Sequence, residues 1–296
     1  MKLRLAATLL ATQPHLPAFW PDREIAGPGE EGLEVLAEGA PAAPGAAVLR
    51  FTPGPFRPPQ LGPRAPLVGL LAAEAADPLA LALVTALAAP PPELRQILER
   101  LCAGRIGAPP GLDDPGLLAL GVVARSAVLV LDPCDAVQAE AAASRLGAAR
   151  GSGLPVLVAQ DPFSTGAPVL PGSLPRLDPW TLLEGAAQLS GASRDLALLA
   201  LAAGVALRDG PLAGQAGDSV WAALLAATRW ADPFRAATSG SLAAIETLAL
   251  WKRREAESRG IAACLGVHPY KQPRLRELLA SAAPPPGFHA KPGPAL

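Results

Sequence analysis

The apolar residues of this chain recur in short unbroken runs and in stripes of helical period, and the two kinds of segment alternate. The N-terminal run Met1-Lys-Leu-Arg-Leu-Ala-Ala-Thr-Leu-Leu-Ala11 reads as a first buried strand. As a secretory leader its apolar stretch is short, and no Ala-x-Ala site follows it closely. Between residues 13 and 66 Pro and Gly interrupt the pattern, leaving regular stretches only at 33–37 and 46–51. Residues 53–66 hold six prolines and two glycines, which forbids a long helix or a central strand and predicts a linker or irregular surface loop. Residues 67–71 suit a strand. Residues 77–88 and 93–103 suit helices separated by Pro90-Pro91-Pro92, the second carrying Leu94, Ile97, Leu98 and Leu101 on one face.

The middle of the chain is more regular. Residues 127–131 and 155–159 are continuous apolar runs, predicted as buried strands, with an Ala-rich helix at 136–150 between them. Strand, helix and strand joined by short connections predict a βαβ unit with adjacent parallel strands. Both runs lead into Asp-Pro, at Asp132-Pro133 and Asp161-Pro162, so both carboxylates belong at the carboxyl edge of the sheet. That edge is where open α/β sheets bind ligands. Further on, Asp178 reads as an N-cap with Pro179 in the first turn. A short strand at 189–193, a helix at 194–203, a strand at 205–207 and a Gly-rich loop at 209–217 follow. Helices at 219–228 and 241–258, a strand at 261–267 and a helix at 274–282 complete the pattern, and the five prolines beyond residue 283 predict a loosely ordered tail.

Composition narrows the function classes. The 296 residues are 50% hydrophobic, so a sizeable core is available. A net charge of -1 argues against a broad nucleic-acid or anionic-membrane footprint. The excess of Arg over Lys, with abundant Ala, Gly and Pro, is a compositional bias without functional weight. Cys102, Cys134 and Cys264 lie far apart with no CxxC spacing, which suits buried thiols in a reducing compartment rather than disulfides or a zinc site. The apolar runs are shorter than the ~20 residues that a spanning helix needs.

Motifs that dictate a chemistry by themselves are absent: there is no GxxxxGK[ST], GxSxG or HExxH, and no cofactor or metal is expected. Asp132 and Asp161 are either acids and bases facing a shared cleft or residues that end strands and cap turns. Asp135 stands where a helix N-cap belongs. Ser193 is either a plain N-cap or a hydroxyl that helps a helix N-terminus hold a phosphate. The glycines of the 209–217 loop, Gly210 and Gly214 among them, make either a phosphate-binding loop or a turn. His15 and His289 lie in Pro-broken ends and are expected in solvent, His268 follows a strand, and Lys252-Arg-Arg254 reads as a solvated helix end.

Taken in order, these pieces resemble the capsular polysaccharide biosynthesis and export protein family, which includes retaining β-Kdo (3-deoxy-D-manno-octulosonate) transferases of Gram-negative bacteria. The segments that carry the resemblance are Ala231-Asp-Pro-Phe-Arg235, the helix end Leu250-Trp-Lys-Arg-Arg254, and Gly266-Val-His-Pro-Tyr-Lys-Gln-Pro273. Upstream, Val128-Leu-Val-Leu-Asp132 and Val156-Leu-Val-Ala-Gln-Asp-Pro162 are similar to the family's strand ends. Residues 178–193 are similar to the stretch leading into its Ser-x-x-Gly-Phe-Glu-Ala-Leu helix, and Gly210-Pro-Leu-Ala-Gly-Gln-Ala-Gly217 to its Pro-Phe-Tyr-Ala-Gly-Trp-Gly loop. The resemblance spans roughly residues 67–282. The chain departs from the family pattern at Asp161, where the family has His, at Pro133, where it has Gln, and in residues 196–201, which lack the family's Glu.

The resemblance implies an α/β fold of two Rossmann-like halves in a glycosyltransferase-B-like arrangement. A reduced N-terminal half at 1–110, a nucleotide-sugar half at 111–282 and a Pro-rich tail at 283–296 are expected. It implies transfer of Kdo from CMP-Kdo to a glycan or glycolipid acceptor, in the cytoplasm and peripheral to the inner membrane with its polysaccharide machinery. Asp132 and Asp135 are the catalytic candidates; Asp161, Pro162, Ser193, Gly210 and Gly214 are the substrate-binding ones. The departures at Asp161, Pro133 and 196–201 support a rival expectation, a non-catalytic transferase-like scaffold in polysaccharide assembly or export.

Overall fold

A computed structural model describes residues 2–27, 29–58, 66–85, 90–109, 126–131, 147, 148, 150, 151, 153–164, 174, 176–210, 212–258, 263–265, 267–278 and 287–289. They group into two compact units, Met1–Ala82 with Thr228–Leu296, and Leu83–Ala227.

The first unit is built on a six-stranded sheet in the order β1-β2-β3-β4-β9-β10. Strands β1 (Leu3–Leu5), β2 (Leu33–Ala37) and β3 (Val48–Thr52) run parallel. β4 (Gly69–Ala73), β9 (Arg229–Asp232) and β10 (Ala237–Thr238) continue the sheet antiparallel, so its pairing departs from an all-parallel Rossmann-like sheet. The N-terminal run is not one strand. Alternation holds only through Leu5, and the Ala- and Leu-rich residues after it form helix α1 (Ala7–Thr12). The core beside the sheet gathers Leu3, Leu16, Phe19, Trp20, Val35 and Phe51.

Two expectations in this unit are corrected. His15 is not in solvent: it is 3% exposed, with Nε2 2.7 Å from the Leu67 carbonyl oxygen, which places the proton on Nε2. The Gln13 side chain accepts from the Leu67 amide at 3.2 Å, so both polar groups of Leu67 are held from the N-terminal segment. Nor is the Pro-rich stretch a linker at its start. Pro53 leads into a tight turn, Gly54–Phe56, and Phe56 is fully buried edge-on against Trp230, with ring centroids 4.7 Å apart. Helix α7 (Ser241–Ser258) packs on β9. In the tail expected to be loose, β12 (Gly287–His289) pairs parallel with β11 (Ala263–Leu265), and Phe288 lies under the Arg276 guanidinium.

The second unit holds a fully parallel sheet in the order β6-β5-β7-β8, from β5 (Ser126–Leu131), β6 (Val156–Gln160), β7 (Ala186–Ser190) and β8 (Ala206–Leu207). Strands β5 and β6 are adjacent and parallel, as their continuous apolar runs predict. Of the connecting helix expected at 136–150, residues 147, 148 and 150 are described and helical. β7 begins directly after helix α4 (Pro179–Gly185), three residues earlier than expected. Helix α5 (Arg194–Ala202) packs on α4, on α6 (Gly217–Ala227) and on α3 (Leu94–Ala103). At that packing centre Trp221 is fully buried and its indole N–H donates to the Leu198 carbonyl at 3.1 Å. Helix α2 (Pro78–Thr85) precedes α3 in the chain, and α3 buries Leu94, Ile97 and Leu101 of the stripe read from the sequence, with Leu98 half-buried.

Candidate functional site

The strand order of the second unit positions its site. β6 lies on one side of β5 and β7 on the other, so the chain reverses direction across the sheet between the ends of β5 and β7. In open parallel sheets such a reversal opens a crevice at the carboxyl ends of the strands, because the two following loops diverge. Asp132 follows β5 directly, and it lies with Asp135 outside the described residues. The turn Gly191-Ala-Ser193 follows β7, and the structure gathers Asp161, Pro162 and Gly210, but not Gly214, around that turn.

Asp161, just past β6, is completely buried. Its Oδ1 accepts from the Phe163 amide at 2.8 Å, and its Oδ2 accepts from the Ser193 amide, also at 2.8 Å. The first bond closes an Asx-type turn that lets the chain leave the strand at Asp-Pro; the second ties the end of β6 to the turn after β7. Asp161 and Ser193 are therefore brought together across the sheet edge. The carboxylate is turned onto backbone amides, which are charge-assisted donors in a buried setting.

Ser193 caps α5, its Oγ accepting from the Leu196 amide at 3.4 Å. Asp178 caps α4 in the same way, accepting from the Trp180 amide at 2.9 Å, with Pro179 at the first position. Pro162 contributes its carbonyl, which accepts from Arg176 Nη2 at 2.9 Å. On the other side, Asp209 Oδ1 accepts from the Gly191 amide at 2.7 Å. Gly210 follows with φ +94°, and a side chain there would lie 3.9 Å from the Ala192 carbonyl oxygen. Gly214 has φ +76° with open space around it, so both glycines meet the backbone demand of a turn-rich loop. Asp161, Pro162, Ser193 and Gly210 thus border one turn; no contact links Gly214 to them.

Two members of this cluster escaped the sequence reading. Asp209 carries the signal that exposed Asp161, an acid just past a strand, but β8 is only two residues long and runs straight into a Gly-rich loop. Arg176 had no pattern around it. Its guanidinium donates to the Pro162 carbonyl, Arg194 opens α5 directly after Ser193, and Arg208, directly before Asp209, donates from Nε to Gln188 Oε1 at 2.6 Å. The N-terminal end of α5 at Ser193 is where an anion would be favoured, at the cost of standing close to the Asp161 charge. Burial pushes the pKa of the Cys102 thiol up, which favours the protonated form, and its Sγ donates to the Ala202 carbonyl at 3.4 Å. Among the described residues no group of three or more His, Cys, Asp or Glu is placed to hold a metal ion, and no helix is long and apolar enough to cross a membrane.

No family model matches the chain, and no curated protein sequence matches it. Among solved structures the fold is similar to that of KpsC from Thermosulfurimonas dismutans, a beta Kdo 2,4 transferase, at 16% sequence identity and a TM-score of 0.59. The similarity covers 84% of this chain and 98% of that one. At this identity it is a likeness of fold alone, α/β and parallel-rich.

Proposed function

We propose that this chain is a glycosyltransferase of the β-Kdo-transferase kind, moving Kdo from CMP-Kdo to a hydroxyl of a glycan or glycolipid acceptor and releasing CMP. The observation that carries this reading is the fold likeness to a Kdo transferase over nearly the whole of that chain. The convergence of Asp161, Ser193 and Gly210 at the carboxyl edge of a parallel sheet supports it independently, since such edges bind nucleotide ligands. In this reading Asp132, with Asp135 nearby, handles the acceptor proton. The turn at Ser193, with Pro162 and the Gly210–Gly214 loop, receives the CMP phosphate, and Arg176 and Arg194 balance its charge. The reaction runs in the cytoplasm beside the inner-membrane polysaccharide machinery.

A second reading rests on one observation. Asp161, standing where the resembled family has His, presents a carboxylate to the turn that would hold the phosphate. Two unit charges ~4 Å apart at an effective dielectric of 20 cost about 4 kcal/mol, or roughly a thousandfold in affinity. That penalty favours a transferase-like scaffold without turnover. The two readings separate in one experiment, the melting midpoint with CMP and CMP-Kdo followed by CMP release in the presence of a Kdo-bearing glycolipid. A ligand at a hundred times its dissociation constant stabilises by about 2.7 kcal/mol. Stabilisation with CMP release supports the enzyme, stabilisation alone supports the scaffold, and neither removes the nucleotide-sugar reading.

A further inference from the structure

Helix α7 buries one face and shows the other to solvent, and the outward face has a definite order. Ala244, Ile245, Leu248 and Glu255 are buried. Opposite them lie Ala243, Glu246, Leu250, Arg253 and Glu257, three and four residues apart, with Arg254 beside them, and all six are exposed. Leu250, 42% exposed, is the one large apolar side chain of this stripe. Arg254 bonds Glu257 at 2.7 Å, whereas Glu246 and Arg253 hold no hydrogen bond or ion pair among the described residues. Two acids and two bases leave the stripe without net charge, which gives neither an anionic bilayer nor a nucleic acid an advantage.

One edge of the stripe is aromatic. Phe234, 75% exposed, sits at the tip of the β9–β10 hairpin, where Asp232 Oδ1 accepts from the Phe234 amide at 2.8 Å and the Arg235 amide at 3.2 Å. The turn closes through Ala236 at φ +49°, a conformation that residues other than Gly seldom adopt. The Phe234 ring meets Trp251 of α7 edge-on, with centroids 5.9 Å apart. At about 100° per residue, Trp251 falls on one side of Leu250, and Glu246 and Arg253 fall together on the other. The face therefore runs from an aromatic edge through a central leucine to an edge holding an acid and a base.

We propose that this face pairs with the same face of a second copy, the two α7 helices antiparallel about a two-fold axis at Leu250. The axis that stacks Leu250 on its own copy sets Glu246 level with Arg254 and Arg253 of the other chain. Because a two-fold perpendicular to both helices keeps like edges together, Arg253 is the cation on the edge of Glu246. The acid and base that stand alone in one chain thus pair twice across the axis, and the two Phe234–Trp251 pairs close the opposite edge. A parallel arrangement would set Glu246 against Glu246 and Arg253 against Arg253, so charge selects the antiparallel one, which the helix dipoles also favour. Any other partner must carry the reversed order of base, apolar residue and acid at this spacing, and a second copy carries it by symmetry. One helix pair and two hairpin tips make a small interface, so the dimer exchanges with monomer. The proposal stands independently of the transferase reading.

The test is sedimentation equilibrium of the full chain over a concentration series. A reversible dimer is expected, weaker as salt shortens the screening length. Glu246→Arg or Arg253→Glu alone sets like charges together at two places and should weaken the dimer roughly tenfold or more. The double variant restores both pairs in reverse and should return to within about threefold of wild type. Leu250→Asp puts two carboxylates on the axis and should weaken the dimer roughly a hundredfold. Because these side chains are exposed, the dilute variants should melt with the wild type, which separates loss of pairing from loss of fold. A wild type that stays monomeric up to about 0.5 mM overturns the proposal. So does a dimer that survives Leu250→Asp, or a double variant no tighter than either single one. A monomeric wild type that floats with vesicles of phosphatidylcholine and phosphatidylglycerol, and loses flotation in Leu250→Asp, assigns the face to a bilayer and also overturns it.

Discussion

Replacing Asp161 separates its structural duty from its electrostatic effect on a bound phosphate. The carboxylate is fully buried and accepts from two amides at 2.8 Å, one on each side of the sheet edge. Truncation in Asp161→Ala strips both amides of their acceptor, and each unsatisfied buried donor costs about 1–3 kcal/mol. A loss of about 3–5 kcal/mol is expected. In a unit of this size that lowers the melting midpoint by roughly 6–20 °C. Asp161→Asn keeps one carbonyl acceptor and should lose about half as much, while removing the negative charge. It should therefore be less stable than wild type and bind CMP more tightly. Asp161→His, the residue the family carries, offers one acceptor nitrogen in a bulkier ring, so its loss of stability should hide any gain in binding. Urea or thermal melts of the three variants, each repeated with CMP by calorimetric titration, check the ordering. An Asp161→Ala chain that melts with the wild type would refute the clamp, and an Asp161→Asn chain that binds CMP no better would refute the repulsion.

Other substitutions probe the frame around the site. Burial pushes the His15 pKa below its ordinary 6.5, outweighing the Leu67 carbonyl and the Asp232 charge, which act the other way. The unfolded chain then takes up the proton first, so stability is full above pH 6.5 and falls as pH drops from there through the lowered folded value; denaturation at a series of pH values should show this slope in wild type and lose it in His15→Gln. Gly69→Ala puts a Cβ 2.7 Å from the Trp230 ring, which is backed by Phe56, and should cost about 1–3 kcal/mol with a changed Trp fluorescence spectrum. Trp221→Phe leaves the Leu198 carbonyl without its indole donor and opens a cavity among α3, α5 and α6; a loss of about 2–3 kcal/mol in urea denaturation is expected, with Trp221→Ala costing about 3–5 kcal/mol.

What the sequence made legible follows the range of the interactions involved. The pair β5 and β6 could be read because each is a continuous apolar run bounded by turn residues, and such runs pair in parallel when a helix separates them. The caps at Asp178 and Ser193 could be read because a cap is set within four residues. The β9–β10 hairpin could not: β9 is held by β4 across some 160 residues, and its four positions show no alternation strong enough to declare a strand alone. His15 looked solvated because nothing near it predicts the Leu67 carbonyl. At the candidate site the pattern located Asp161 on the sheet edge, yet its orientation depends on the Ser193 amide, a partner 32 residues away.

The pairing of β4 with β9 has a consequence for how the chain is made. Gly69 and Leu70 reach their partners, Trp230 and Arg229, only once more than three quarters of the protein has left the ribosome. At about 5–20 residues per second, an interval of some 160 residues lasts roughly 8–30 s. Throughout it the N-terminal strands can offer no more than an unfinished sheet whose rim is Gly69-Leu-Leu-Ala-Ala73, with two leucines that end fully buried. The middle unit, Leu83–Ala227, is contiguous and needs nothing from either end for its own strands to pair. It is thus free to fold during the wait, while the nascent rim is open to pairing with a neighbouring polypeptide. Translation that stops before residue 229 would leave that rim open permanently, and such fragments should collect with chaperones and in inclusion bodies rather than as a usable half-protein.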